Sequence, residues 1–341
     1  MWQWVRRWRT PGTAKDQAMG GECGAAPGVA GEAAQAPEAP PAPRSSAGPR
    51  PATAAPVVRG TAASRLFTRD ALQRAWLAIK RAGGGAGMDG VTLAQFEAHL
   101  AEELGTLQAA LASGRYRPRP VRQVWVPKIN GGLRPLALWA LRDRVAQRVV
   151  YDILAPAFEP HFLPCSFGFR PGLGVQDAVK ALQAQRDAGR RWVVDADIED
   201  CFGTIPTDRL MRLVTRQVQD RLLQRYVHGW LDADIMNSAD GRPRKTGASQ
   251  GSVLSPLLAN IYLHQVDLAM MQAQLAFLRY ADDFVICARR RHEAELALQF
   301  SEKTLTEWGL RINAHKTQIV HLDQGLAWLG HFFVRNECYV L

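Results

Sequence analysis

Two apolar runs in this chain carry acid where a core strand would carry more aliphatic side chains. The first is Val193-Val194-Asp195-Ala196-Asp197-Ile198. The second has Phe277 and Leu278, then Tyr280-Ala281-Asp282-Asp283, then Phe284, Val285 and Ile286. Period-two alternation places Asp195 and Asp197 on one face of the first run and Val194, Ala196 and Ile198 on the other. The second run reads as a hairpin whose turn holds adjacent carboxylates. Two unit charges ~4 Å apart repel by roughly 4 kcal/mol at an effective dielectric near 20, so such strands brought side by side need a compensating cation. A hard divalent ion with oxygen ligands, Mg²⁺ above all, meets that need. If the two runs pair in one sheet, an aspartate from each can share two metal ions, the geometry of in-line phosphoryl transfer.

The rest of the chain supplies a setting for such a sheet. Residues 11–64 are dominated by Ala, Pro and Gly with almost no large apolar side chains. A segment of that composition cannot bury enough surface to offset its ordering entropy, so residues 1–64 are expected to be a disordered tether. Ordered patterning starts at Arg65. The spacing predicts a helix ending in the Gly83 run, a second helix over Gln95–Ser113, and a hairpin made of VRQVWVPK, an NGG turn and LRPLAL. Helices are expected near 141–157 and 175–188. Two more follow the first acidic strand, one covers SPLLANIYLHQVDLAMMQA and one HEAELALQFSEKTLTEWG, and three short strands end the sequence. The fold class is α+β, with helices packed on an antiparallel sheet. Lys and Arg outnumber Asp and Glu by 42 to 32, which points to a polyanionic partner. The five cysteines are scattered without a CxxC pair, which argues against a disulfide framework or zinc finger and suits a reducing, cytoplasmic setting. No apolar run approaches the roughly 20 residues of a membrane span.

With these residues in place, the chain from about Gly87 to Phe332 resembles, block by block, the reverse transcriptases of the group II intron lineage. GMDGV, YRPRPVRQVWVPKINGGLRPLAL, DRVAQ and SFGFRPG resemble the opening blocks. DADIEDCF, GASQGSVLSPLLANIYL, YADD, LRINAHKT and WLGHFF resemble polymerase motifs A to E. The resemblance implies a right-hand polymerase with fingers and palm. Residues 65–190 would form an N-terminal extension and fingers and 191–341 the palm, the two interleaved between 140 and 260. It implies two Mg²⁺ ions, with Mn²⁺ as a substitute, held by Asp197, Asp282 and Asp283, and leaves Asp195 as a solvated or outer neighbour. Lys316 matches a lysine proposed to donate a proton to departing pyrophosphate, a plain phosphate contact being the other reading. Lys128 and Arg134 match the fingers cations that hold an incoming dNTP. Ile198, Gln250 and Gly251 match residues around the nascent base pair, and Phe202 matches the aromatic gate that leaves no room for a ribose 2′-OH. Arg115, Arg117, Arg119 and Arg122, interleaved with Tyr116 and Trp125, are candidates for tracking the template backbone, and Tyr280 for contacting template or primer.

The implied partners are an RNA template, a DNA or RNA primer and dNTPs. Two positions depart from the lineage pattern: Gly203 replaces a usual Asp and Ser249 a usual Pro. The sequence stops soon after motif E, so the expectation is an absent or minimal thumb. A domesticated enzyme is expected, working beside Cas1/Cas2 or other defence proteins. The alternatives are a fragment of an intron-encoded reverse transcriptase/maturase and a catalytically silent RNA-binding scaffold.

Overall fold

The structure, a computed structural model, describes residues 57–58, 63–127, 132–236, 243–245 and 248–341. Most of the expected tether lies outside the described residues, as does Lys128. In chain order the helices are α1 (Ala63–Leu66), α2 (Arg69–Ala82), α3 (Leu93–Ala98) and α4 (Leu100–Ala112), followed by strands β1 (Val121–Pro127) and β2 (Leu133–Leu138). Then come α5 (Leu141–Phe158), α6 (Val175–Asp187), β3 (Trp192–Asp197), α7 (Cys201–Thr204), α8 (Thr207–Gln217), α9 (Arg221–Leu231), β4 (Asp234–Met236) and β5 (Pro243–Lys245). The remainder is α10 (Ser255–Gln272), β6 (Ala276–Tyr280), β7 (Asp283–Ala288), α11 (Arg291–Glu307), β8 (Gln318–His321), β9 (Leu326–Trp328), β10 (His331–Val334) and β11 (Glu337–Val340).

Four expectations need correction. The body begins before residue 65: Val58 bridges Val218 in parallel, with its N–H on the Gln217 carbonyl at 3.0 Å, and α1 starts at Ala63. The helix expected over Gln95–Ser113 is two helices. A capping box between Thr92 and Gln95 starts α3 early, and the break at His99 lets Phe96 stack on Trp76, ring centroids 4.8 Å apart. Three helices, not two, follow β3, because a single turn at Cys201–Thr204 precedes the longer pair. Four strands rather than three end the chain, since the run after Trp328 folds back twice.

Three sheets organise the fold. The fingers hairpin of β1 and β2 is antiparallel, with Arg122 opposite Leu138 and Val126 opposite Arg134. It is extended by a parallel pairing of β1 with β4, then by β5. The central sheet has the order β6-β7-β3-β8 and is antiparallel throughout. Both of its faces are covered. Val194, Ala196, Ile198, Phe277, Phe284 and Ile286 join the large core with α5 and α10. Val193, Leu278, Val285 and Cys287 pack on Ala178, Val179 and Leu182 of α6 and on Leu326, Trp328 and Phe333 of the third sheet, β11-β10-β9. A strand buried on both faces reads as a continuous apolar run, which is why the aspartates at its end stand out in the sequence.

Candidate active site

The two acidic runs are neighbours. Antiparallel pairing of β3 with β7 puts Asp197 directly opposite Asp283, on the face that also carries Asp195, and Asp282 sits in the turn before β7. The backbone closes the gap between strand and turn: the Ile198 N–H donates to the Asp282 carbonyl at 3.2 Å. Like charges placed directly opposite destabilise a strand pair, and the site records the strain electrostatically. Burial, reinforced by the charge of Asp197, pushes the Asp282 carboxyl up to about 6. Burial also pushes Asp283 up, helped by the charge of Asp282 and by a hydrogen bond to Asp197. Asp195 is raised by burial too, opposed by Gln318, whose Nε2 donates to Asp195 Oδ2 at 3.1 Å.

This donor set fits hard divalent ions. All three groups are carboxylates, and Asp282 Oδ1 is buried with no hydrogen-bond partner, an orphaned acceptor that a cation would satisfy. Among the described residues, however, no group of three acidic, His or Cys side chains closes a metal cage by itself. Mg²⁺ is usually held by one or two carboxylates together with water and substrate phosphate oxygens.

Two cations flank the cluster. Lys316 Nζ donates to Asp197 Oδ2 at 2.8 Å. Burial works against its charge, but that hydrogen bond and the charges of Asp197, Asp283 and Asp282 lift its pKa above the usual value. Asn313 assists from the same loop, its backbone N–H donating to the Asp197 carbonyl at 2.8 Å. The second cation, Arg279 on β6, was not singled out from the sequence. It is 0% exposed, and its guanidinium reaches Asp267 at 2.7 and 2.6 Å, Asn260 Oδ1 at 2.9 Å, the Ala281 carbonyl at 2.9 Å and Ser166 Oγ at 2.8 Å. The available signal was an Arg inside an apolar strand three residues before the acid pair, with Asn260 and Asp267 two turns apart on an apolar helix.

The remaining predicted residues divide. Phe202 is buried on α7 directly after the Asp197 strand. Gly251 has φ +107, and a Cβ there would come within 2.3 Å of the Ala137 carbonyl oxygen. The Gln250 carbonyl accepts from the Ala137 N–H at 2.7 Å, so this loop is clamped onto β2. Arg134 is on that same strand, half-buried and without an ion pair among the described residues. Gly203 is explained locally, because a Cβ there would meet the Asp200 carboxylate. Ser249 is buried with an unpartnered Oγ. Ile198 is 2% exposed and Tyr280 6% exposed, so both belong mainly to the core.

The template-tracking stripe needs correction. Tyr116 is fully buried, its hydroxyl donating to Asp143 at 2.6 Å and accepting from Trp230 Nε1 at 2.9 Å, so no base can stack on it. Arg119 is ion-paired with Asp89 at 2.5 Å, and Arg117 donates to the carbonyls of Gly114 and Tyr116. Arg122 is exposed. A cavity of about 390 Å³ lined by Arg209, Arg212, Leu213, Arg216, Glu307 and Trp308 shares no residue with the acid cluster.

Comparison with known proteins identifies the family. Residues 126–333 match the family described as reverse transcriptase (RNA-dependent DNA polymerase). Protein YkfC of Escherichia coli (strain K12) is 32% identical over 290 residues, covering 74% of this chain and 76% of YkfC. The group II intron-encoded protein LtrA of Lactococcus lactis subsp. cremoris is 33% identical over 177 residues, 52% of this chain but only 29% of LtrA. Among solved structures, telomerase from Candida albicans superposes with a TM-score of 0.51 at 12% identity, covering 73% of this chain and 49% of that one. That likeness bears on the fold alone. Among the described residues, no helix is long and apolar enough to cross a membrane.

Proposed function

This chain belongs to the reverse transcriptase family, and we propose that it is an RNA-directed DNA polymerase whose catalytic carboxylates are Asp197, Asp282 and Asp283. The observation that carries the reading is the acid cluster itself: Asp197 opposite Asp283, with a buried, unpartnered oxygen on Asp282. In the reaction, the primer 3′-oxygen forms a bond to the α-phosphorus of a dNTP while the bond to pyrophosphate breaks. Two bound Mg²⁺ ions, or Mn²⁺ in their place, would supply Lewis-acid activation of the hydroxyl and stabilisation of the leaving oxygen.

The chain's own residues do the positioning on which phosphoryl transfer mostly depends. Phe202 excludes a 2′-OH and so selects dNTPs. Arg134 and Lys128 grip the triphosphate, Arg134 being free of an internal ion pair among the described residues and suited to bidentate phosphate binding. Gln250 and Gly251 let backbone approach the nascent base pair. Lys316 leaves Asp197 when substrate arrives and donates its proton to the pyrophosphate. Arg122 and the other exposed cations follow the template backbone. The Ala/Pro/Gly-rich N-terminal segment supports a further proposal, that the enzyme works beside partners such as Cas1/Cas2 or other defence proteins, and co-purification with the encoded neighbours checks it.

Extension of oligo(dT) on poly(rA) with dTTP and Mg²⁺ or Mn²⁺ is expected to yield product. An Asp282→Ala/Asp283→Ala variant is expected to yield none. Equal synthesis by that variant would sink the assignment of the carboxylates, and absence of product from the parent chain would favour a silent RNA-binding scaffold.

A further inference from the structure

A guanidinium has five N–H donors, and each one on Arg279 has a partner: two on Asp267, one each on Asn260, Ser166 and the Ala281 carbonyl. Its backbone is also tied down, its N–H donating to the Cys165 carbonyl at 2.7 Å and its carbonyl accepting from Phe167 at 2.9 Å. Four of these anchors belong to the scaffold. The fifth, Ala281, is the residue before Asp282 and has φ +60, in the left-handed region that an alanine rarely adopts. The other side of that turn is held by Gly168, where a Cβ would lie 2.3 Å from the Ala281 nitrogen and whose carbonyl accepts from Asn260 Nδ2 at 2.9 Å. Asp282 Oδ1 has no partner, so nothing outside the turn ties that oxygen in place. Rotating the Ala281–Asp282 peptide therefore rotates the carboxylate.

We propose that Arg279 is a positioning residue, pinning the Ala281 carbonyl so that the Asp282 carboxylate faces the reaction centre. The role rests on the polymerase reading above. Asp267 orients the guanidinium through its two oxygens, and Asn260 couples it to the Gly168 side of the turn. The residue touches neither primer nor dNTP, so its loss should act on the chemical step rather than on substrate affinity.

The test is an apolar replacement of the buried pair, Arg279→Met/Asp267→Leu, because apolar side chains of similar volume often preserve stability where a single deletion does not. Arg279→Gln/Asp267→Asn serves as a second, polar version. In poly(rA)/oligo(dT) extension the folded variants are expected to lose about 100-fold in kcat, as small misplacements of a reacting group do. KM for dTTP is expected to stay within about threefold, the mark of an interaction felt only in the transition state. Circular dichroism and melting report whether each variant is folded. A folded variant with parental kcat, or one that loses affinity instead of kcat, overturns the proposal. Failure of both versions to fold overturns it too, assigning Arg279 to the fold alone. Parent chain and Asp282→Ala run alongside: a silent parent brings down the polymerase reading, whereas an active parent with an equally active Arg279 variant brings down only this inference.

Discussion

Arg279 and Lys316 both flank the acid cluster and each pairs with an aspartate, Asp267 and Asp197, yet their surroundings are opposite. The side chains of Arg279 and Asp267 are 1% and 0% exposed, while those of Lys316 and Asp197 are 59% and 15% exposed. The first pair has every donor satisfied inside the protein and sits between a strand, a helix and a turn. The second is one hydrogen bond from a loop lysine to a carboxylate of the acid cluster. A buried ion pair that is fully hydrogen-bonded cannot exchange partners without exposing a charge to a medium of low dielectric. A water-facing lysine can let go at little cost. The comparison separates a permanent part of the scaffold from a water-facing counter-ion able to exchange partners.

Breaking one side of the buried pair should have the largest effect on stability. Asp267→Ala leaves the Arg279 guanidinium buried without its anion and is expected to lower the unfolding free energy by about 3–5 kcal/mol. Urea denaturation followed by circular dichroism measures it. A loss as small as that expected for an exposed pair would mean that the guanidinium finds water or another acceptor, and the contrast between the two pairs would collapse.

That contrast also explains which parts were legible in the sequence. The two acidic runs, with Asp195, Asp197, Asp282 and Asp283, were legible because a carboxylate in an apolar run contradicts its surroundings and because each run fits on a few consecutive residues; the resemblance singled out Asp197 over Asp195, and the structure pairs the runs. Arg279 lies in one of those runs, but a single Arg inside a strand carries no sequence sign of what it pairs with. Its partners Asp267 and Ser166 are 12 and 113 residues away, a separation that periodicity cannot span. The same limit applies to Tyr116, grouped with the template-tracking cations although Asp143 and Trp230 close over it. Helix existence was mostly legible. The break at His99 was not, because it answers to a tertiary contact between Phe96 and Trp76.

On the exposed side, Lys316→Met should leave stability within about 1 kcal/mol of the parent, the usual worth of a water-facing ion pair. Activity should respond far more. If the ammonium is the acid that protonates pyrophosphate, kcat falls by roughly 10²-fold, the lower range for general acid catalysis. Lys316→Arg sharpens the point, since a guanidinium keeps the charge but does not give up its proton at working pH. A proton-donor role predicts that Arg fails to restore kcat, and recovery by Arg would reduce Lys316 to a phosphate contact. Single-turnover extension with pyrophosphate release as the readout distinguishes these results.

The smallest effect is a dependence on salt. The Debye length falls from about 10 Å at 0.1 M to about 3 Å at 1 M ionic strength, which weakens exposed charge pairs and leaves buried ones nearly unscreened. The stability difference between the parent and Lys316→Met, a few tenths of a kcal/mol by this account of exposed pairs, should shrink towards zero as NaCl is raised. At low salt the difference should be largest, because the ammonium relieves repulsion among Asp197, Asp282 and Asp283, whose charges all act to raise its pKa. The Asp267→Ala penalty should keep its size across the same series, because the solvent ions cannot approach a guanidinium that is 1% exposed. Parallel salt dependence for the two variants would mean that water reaches Arg279 and that both pairs belong to the mobile part of the site.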